Sequence, residues 1–193
     1  MRTYMRYRYE GQTHYRLSIG GLTMDLPVVQ VDEGLWIASF VMLGDAQLVN
    51  VCAGALAVQL AGKDFEIMVG PEAKVVPLLQ MLATLLGHPR YVVCRKSVKG
   101  YMQNPLSVEV ESITTKGSQL LVIDGPDVEL LRNRKVAIVD DVVSTGGSIR
   151  GVEELLSHTG AIITTRAAAL KEGDAYGGDL IYLADLPIFT AQP

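Results

Sequence analysis

From residue 45 onward the chain alternates between two kinds of hydrophobic pattern. Asp45 can cap a helix running to about residue 60, with Gly62 as its stop. Residues 65–69 read as a short apolar strand, and residues 75–86 as a second helix, ended by Gly87 and Pro89. Residues 91–94 form a second strand. Residues 135–140 are an apolar run of the kind buried on both faces of a sheet. Ile149, Val152, Leu155 and Leu156 share one helical face, Gly160 follows the helix end, and residues 161–170 and 180–183 supply further strands. This alternation predicts an α/β core: a parallel sheet flanked by helices and joined by right-handed crossovers. Ligands of such sheets bind at the carboxyl ends of the strands.

Two stretches break the pattern. Residues 1–44 read as strands and turns, too few for a domain of their own. We therefore expect an N-terminal segment, 1–44, ahead of a core domain, 45–193. Its opening residues suggest a hairpin turning at Glu10-Gly11-Gln12, with Tyr4, Tyr7, Tyr9 and Tyr15 interleaved among Arg2, Arg6, Arg8 and Arg16. Residues 96–119 are polar, contain Gly100, Pro105 and Gly117, and alternate weakly over 106–113. A long excursion within a compact domain is usually functional or disordered. We expect a mobile loop that closes over a ligand, its alternating part pairing as a hairpin.

The chemistry concentrates in Val136-Ala-Ile-Val-Asp140-Asp141-Val-Val143-Ser144-Thr145-Gly146-Gly147-Ser148. A strand ends on two adjacent carboxylates, and a loop of hydroxyl and glycine residues then opens a helix. Glycines let backbone N–H groups converge, and the helix N-terminus adds unpaired donors and its dipole, which suits a phosphate. Ser144, Thr145 and Ser148 can donate further hydrogen bonds. The carboxylates would repel that phosphate, so their targets lie beside it: ribose hydroxyls, developing positive charge on a sugar ring, or a hydrated Mg²⁺. The loop lacks the Gly-Lys-Ser/Thr of a Walker loop and is not Gly-x-Gly-x-x-Gly.

This segment resembles the signature of the type I phosphoribosyltransferases, an apolar strand running into Asp-Asp and then Thr-Gly-Gly-Ser/Thr. The order of parts is similar to the adenine and xanthine branch of that family. Gly70-Pro71-Glu72-Ala73-Lys74 resembles its pyrophosphate loop, although the family usually ends that loop Arg-Gly where this chain has Lys74-Val75. Tyr91-Val-Val-Cys94-Arg95-Lys96, followed by Lys99, resembles its strand end before a mobile catalytic loop. The resemblance implies the family's α/β fold with a small N-terminal hood over the base, the region of Trp36 and Phe40. It implies transfer of the 5-phosphoribosyl group from 5-phosphoribosyl 1-diphosphate (PRPP) to a purine-type base, in nucleotide salvage. In that reaction Val143, Ser144, Thr145, Gly146, Gly147 and Ser148 would hold the 5-phosphate. Asp140 and Asp141 would bind the ribose hydroxyls and favour an oxocarbenium-like state. Glu72, Ala73, Lys74, Arg95, Lys96 and Lys99 would handle pyrophosphate, and Glu109 or Glu111 would assist proton movement at the base. Mg²⁺ would arrive mainly on PRPP, with Asp140 or Asp141 as its contact on the protein. A homodimer is expected, with the Val-, Leu- and Met-rich helix 75–86 supplying apolar contact. Two other readings stand beside this one: a regulator that senses PRPP without catalysis, and a transferase for a pyrimidine or unrelated acceptor.

Composition narrows the setting. With 193 residues, 49% of them apolar, the chain can build one substantial core without disulfides or structural metal. Cys52 and Cys94 lack metal-ligand spacing and read as buried free thiols of a reducing compartment. The N-terminus has no apolar signal region, and the longest apolar stretch, 51–61, falls short of the ~20 residues of a membrane span. A cytoplasmic protein is expected. The net charge of −4 argues against broad contact with nucleic acid. The N-terminal arginines and tyrosines are a local exception that could stack on and neutralise a strand.

Overall fold

The computed structural model describes residues 6–111 and 118–191, with the side chains of Glu111 and Ser118 outside that description. Its core is a five-stranded parallel sheet ordered β11-β10-β9-β5-β6. These strands are β5 (Ile67–Pro71), β6 (Tyr91–Cys94), β9 (Lys135–Val143), β10 (Ile162–Glu172) and β11 (Ile181–Leu186). The helices are α1 (Ala46–Leu60), α2 (Val76–Leu86), α3 (Gly125–Leu131) and α4 (Gly147–Ser157). Successive side chains of a strand point to opposite faces, and β9 shows what this does to the core. Its Ala137 and Val139 join a cluster with Cys52, Leu56, Leu78 and Leu82 of α1 and α2. Its Val136 and Ile138 join a second cluster with Val152, Leu155 and Leu156 of α4. Both cysteines are buried and free, and burial pushes the Cys52 thiol up to about 11.

The helix ends follow local chemistry. Asp45 accepts a hydrogen bond from the Leu48 N–H at 2.9 Å, capping α1. Gly87 ends α2 with φ of 74°. Strand β5 begins two residues later than the apolar run suggests. Phe65 sits in a turn instead, with its ring 5.2 Å from that of His88.

The N-terminal strands are β1 (Arg6–Arg8), β2 (His14–Ile19), β3 (Leu22–Asp32) and β4 (Leu35–Ala38). With the last strand, β12 (Ile188–Thr190), they build a second sheet ordered β1-β12-β4-β3-β2. The expected hairpin at Glu10-Gly11-Gln12 does not form. Strand β1 pairs in parallel with β12, and β2 pairs with β3 through the turn at Gly20-Gly21. Arg2 and Tyr4 lie outside the described residues, and Tyr9 stacks on Trp36 at 4.1 Å.

The polar excursion contains β7 (Leu106–Glu111), which pairs antiparallel with β8 (Ser118–Ile123). This hairpin lies over α4, where Gly151 leaves room for Val110 and Leu121. Residues 112–117 of the excursion are outside the described residues. Among those described, no helix is long and apolar enough to cross a membrane.

Candidate active site

A cavity of about 400 Å³ opens at the carboxyl ends of β5 and β9. Its lining brings together Glu72, Ala73, Lys74, Lys96, Asp140, Asp141 and the whole run from Val143 to Ser148. Ile37, Ala38, Ser39 and Phe40 of the N-terminal sheet and the residues after it close one side, with Leu186 of β11. Trp36, occupied with Tyr9, is not in the lining.

The loop after β9 is built to leave donors open. Gly146 is the N-cap of α4, with φ of 82°, and no side chain caps the helix. The first N–H groups of α4 therefore remain unpaired within the helix, at its positive end, facing the cavity. A side chain at 146 would need a conformation that costs an L-residue energy and would overlap the Tyr176 ring. Arg150 buttresses the loop by donating from Nη1 to the Thr145 carbonyl at 3.0 Å.

Asp140 and Asp141 form the cavity floor, 5% and 8% exposed. The Asp141 N–H donates to Asp140 Oδ1 at 2.9 Å. Burial, followed by the charge of Asp141, holds the Asp140 carboxyl well above the ordinary carboxylate range, with Lys74 partly opposing. Positive charge arriving over Asp140 would oppose that rise.

The loop after β5 is held differently. The Glu72–Ala73 peptide bond is cis. Glu72 Oε2 lies 2.9 Å from Arg95 Nε, and Glu72 Oε1 accepts from the Lys96 N–H at 2.6 Å. Arg95 also joins β6 to β8 through two backbone bonds with Val122. Glu72 and Arg95 thus meet at ion-pair distance without the geometry of a hydrogen bond at the buried Arg95 Nε, and Arg95 is absent from the lining. Lys99 is also absent from it, and its Nζ donates to Ser97 Oγ at 2.6 Å. Lys74 is exposed at the rim, and its charge acts on both Asp140 and Glu172.

Of the two carboxylates expected from the long loop, Glu109 is exposed and outside the lining, while its neighbour Val110 faces in. The side chain of Glu111 lies outside the described residues. A different carboxylate lines the cavity. Glu172, the last residue of β10, is 9% exposed. Burial raises its pKa, while a hydrogen bond from Ser144 and the charge of Lys74 oppose the rise. No motif surrounds Glu172. The available signal was its place at a strand's carboxyl end beside the glycine loop that opens α4.

Known proteins resemble this chain in sequence and fold. The family model described as phosphoribosyl transferase domain matches residues 47–176. Adenine phosphoribosyltransferase of Mycobacterium avium is 31% identical over 147 residues, 76% of this chain and 77% of that protein. Orotate phosphoribosyltransferase of Thermococcus gammatolerans is 30% identical over 138 residues, 70% of this chain and 62% of that protein. The crystal structure of adenine phosphoribosyltransferase from Thermoanaerobacter pseudethanolicus superposes with a TM-score of 0.64 at 30% identity. That match covers 75% of this chain and 84% of the other. The chain belongs to the phosphoribosyl transferase family, enzymes of the glycosyltransferase class.

Proposed function

We propose that this phosphoribosyltransferase moves the 5-phosphoribosyl group of PRPP onto a purine-type base, with adenine the first candidate, and releases pyrophosphate. The observation that carries this reading is the meeting, in one cavity, of an uncapped helix N-terminus, two buried aspartates and an apolar side lined by Phe40 and Leu186. The α4 N–H groups, with Thr145 and Ser148, hold the 5-phosphate. Asp140 and Asp141 accept from the ribose hydroxyls. As the C1–O bond to diphosphate breaks and the C1–N bond to the base forms, positive charge grows on the ring above these carboxylates. The base gives up one proton, which passes to the departing diphosphate or to solvent. Lys74, Lys96 and the N–H groups of the β5 loop receive the negative charge of the leaving diphosphate. Adenine is put first because the Mycobacterium avium and Thermoanaerobacter relatives carry that substrate in their names.

The donor set fits Mg²⁺ carried on the substrate. Among the described residues no three His, Cys, Asp or Glu side chains converge into a cage. Mg²⁺ commonly takes one or two carboxylates plus substrate phosphates, and Asp140 and Asp141 would be those carboxylates. When bound, the ion neutralises diphosphate charge. A homodimer and a cytoplasmic setting belong to this reading; Leu78, Leu79 and Leu82 of α2 are buried in the chain's own core, so a dimer contact would rest on its exposed Leu85.

The test is pyrophosphate release from PRPP and Mg²⁺ across adenine, hypoxanthine, guanine, xanthine and orotate. Release with adenine and formation of its 5′-nucleotide support the reading. Release with orotate alone would make the acceptor a pyrimidine. Binding of PRPP without release for any base would favour the sensing regulator.

A further inference from the structure

Tyr176 sits in the connection between β10 and β11, outside the cavity lining, and is 7% exposed. Its ring fills the space behind the phosphate loop. A methyl group at position 146 would overlap the ring edge and come within 3.0 Å of Arg150 Nη1. On the other side, a methyl at position 178 would come within 2.6 Å of the Tyr176 hydroxyl oxygen. The ring is therefore gripped between two glycines, one of them the N-cap of α4. The connection that carries it is anchored as well. Gly173 donates its N–H to the Leu186 carbonyl at 2.9 Å, and a methyl at 173 would reach Ile188 Cδ1 at 2.5 Å. Asp174 pairs with Arg6 of β1 at 3.4 Å.

A left-handed N-cap with no side-chain cap has little of its own to hold it. The conformation of Gly146 sets where the first N–H groups of α4 point, and a displacement of about 1 Å in such a donor set is enough to cost up to ~10²-fold. We propose that Tyr176 is a positioning residue for the sugar-phosphate loop: its ring, pressed on Gly146 from outside the cavity, holds the α4 donors in the arrangement that receives the 5-phosphate. This rests on the reading that residues 144–148 bind that phosphate. On this account Gly146 is required by its backbone angle and by the ring behind it, in addition to any approach of substrate. The face that matters is the ring, because the hydroxyl points toward Gly178.

The test measures PRPP binding by calorimetry and steady-state kinetics for wild type, Tyr176→Phe, Tyr176→Leu and Gly178→Ala, with Tm recorded for each. Phe keeps the ring and should match wild type. Leu should raise KM for PRPP about 10-fold while leaving kcat at saturating PRPP and KM for the base nearly unchanged. Gly178→Ala pushes the ring from behind without removing it, and should raise KM for PRPP in the same sense. A purely structural ring would lower Tm without this split. The inference is overturned if wild type binds PRPP and the Leu and Gly178 variants bind it equally well, or if Phe is impaired as much as Leu. If wild type itself binds no PRPP, the underlying reading of the loop fails and takes this inference with it.

Discussion

The two loops proposed to take the anionic ends of the substrate leave neighbouring strands and are held in opposite ways. The loop after β9 is shaped by its own backbone: a left-handed glycine, an uncapped helix end, and a tyrosine ring and an arginine pressed on it from outside. The loop after β5 is stapled from a distance. Glu72 is fixed by Arg95 and by the Lys96 N–H, and Arg95 in turn is fixed to β8. The first loop offers neutral donors along a helix axis, a geometry that suits a phosphate that stays put. The second offers one exposed lysine at the rim, suited to a group that must depart. The difference matches the two ends of PRPP: one phosphate is retained in the product and one diphosphate leaves.

The sharpest way to break this contrast is Gly146→Ala. It should lower PRPP affinity by about 10- to 10²-fold, the loss typical of one hydrogen bond to a charged group, as measured by calorimetry. Retained affinity would show that the loop's backbone is not what holds the phosphate. On the other loop, Lys74→Ala should reduce turnover about 10-fold, in keeping with one lost charge-assisted contact. Lys74→Arg should recover most of it, and PRPP affinity should fall less than in the glycine variant. Initial rates and binding constants on the three proteins decide this.

The aspartate floor gives a prediction with the opposite sign for stability. The folded state holds the Asp140 proton more tightly than the unfolded chain does. Its contribution to stability is therefore full at low pH and declines as pH rises through the raised range of this carboxyl. Asp140→Asn should remove that decline and raise Tm at neutral pH, by about 2–4 °C for each kcal/mol relieved, while turnover collapses. Thermal melts at several pH values check it, and an unchanged pH slope in the variant would refute it. The smallest effect is expected at Glu109. As an exposed strand residue outside the lining, its replacement by Gln should change turnover by no more than about two-fold.

Features encoded in contiguous residues were legible in the sequence. The Asp45 cap, the Gly87 stop, the doubly buried β9 and the glycine turn from β9 into α4 each need only neighbours a few positions away. Features made by residues distant in sequence were not. Strand β12 acquires meaning by pairing with β1 from the other end of the chain, which is why the opening residues read as a local hairpin turning at Glu10-Gly11-Gln12. Strand β8 pairs with β7 and, through Val122, with Arg95, and the partner at Arg95 lies 27 residues away. Arg95 is expected at the pyrophosphate by position, and the structure sets it beside Glu72, a neighbour 23 residues away that no local pattern announces. Glu172 carries no motif at all, and its place in the site comes from facing Ser144 across adjacent strands.

The central claim is that the loop from Ser144 to Ser148 beside Asp140 and Asp141 is a sugar-phosphate site. Thermal unfolding of the wild-type protein at constant Mg²⁺, with PRPP, ribose 5-phosphate or ribose added, tests it most directly. A ligand present at 100 times its Kd stabilises the native state by about 2.7 kcal/mol. The account predicts a clear rise in Tm with PRPP, a smaller one with ribose 5-phosphate and none with ribose. No rise with either phosphate, or an equal rise with ribose, would contradict it.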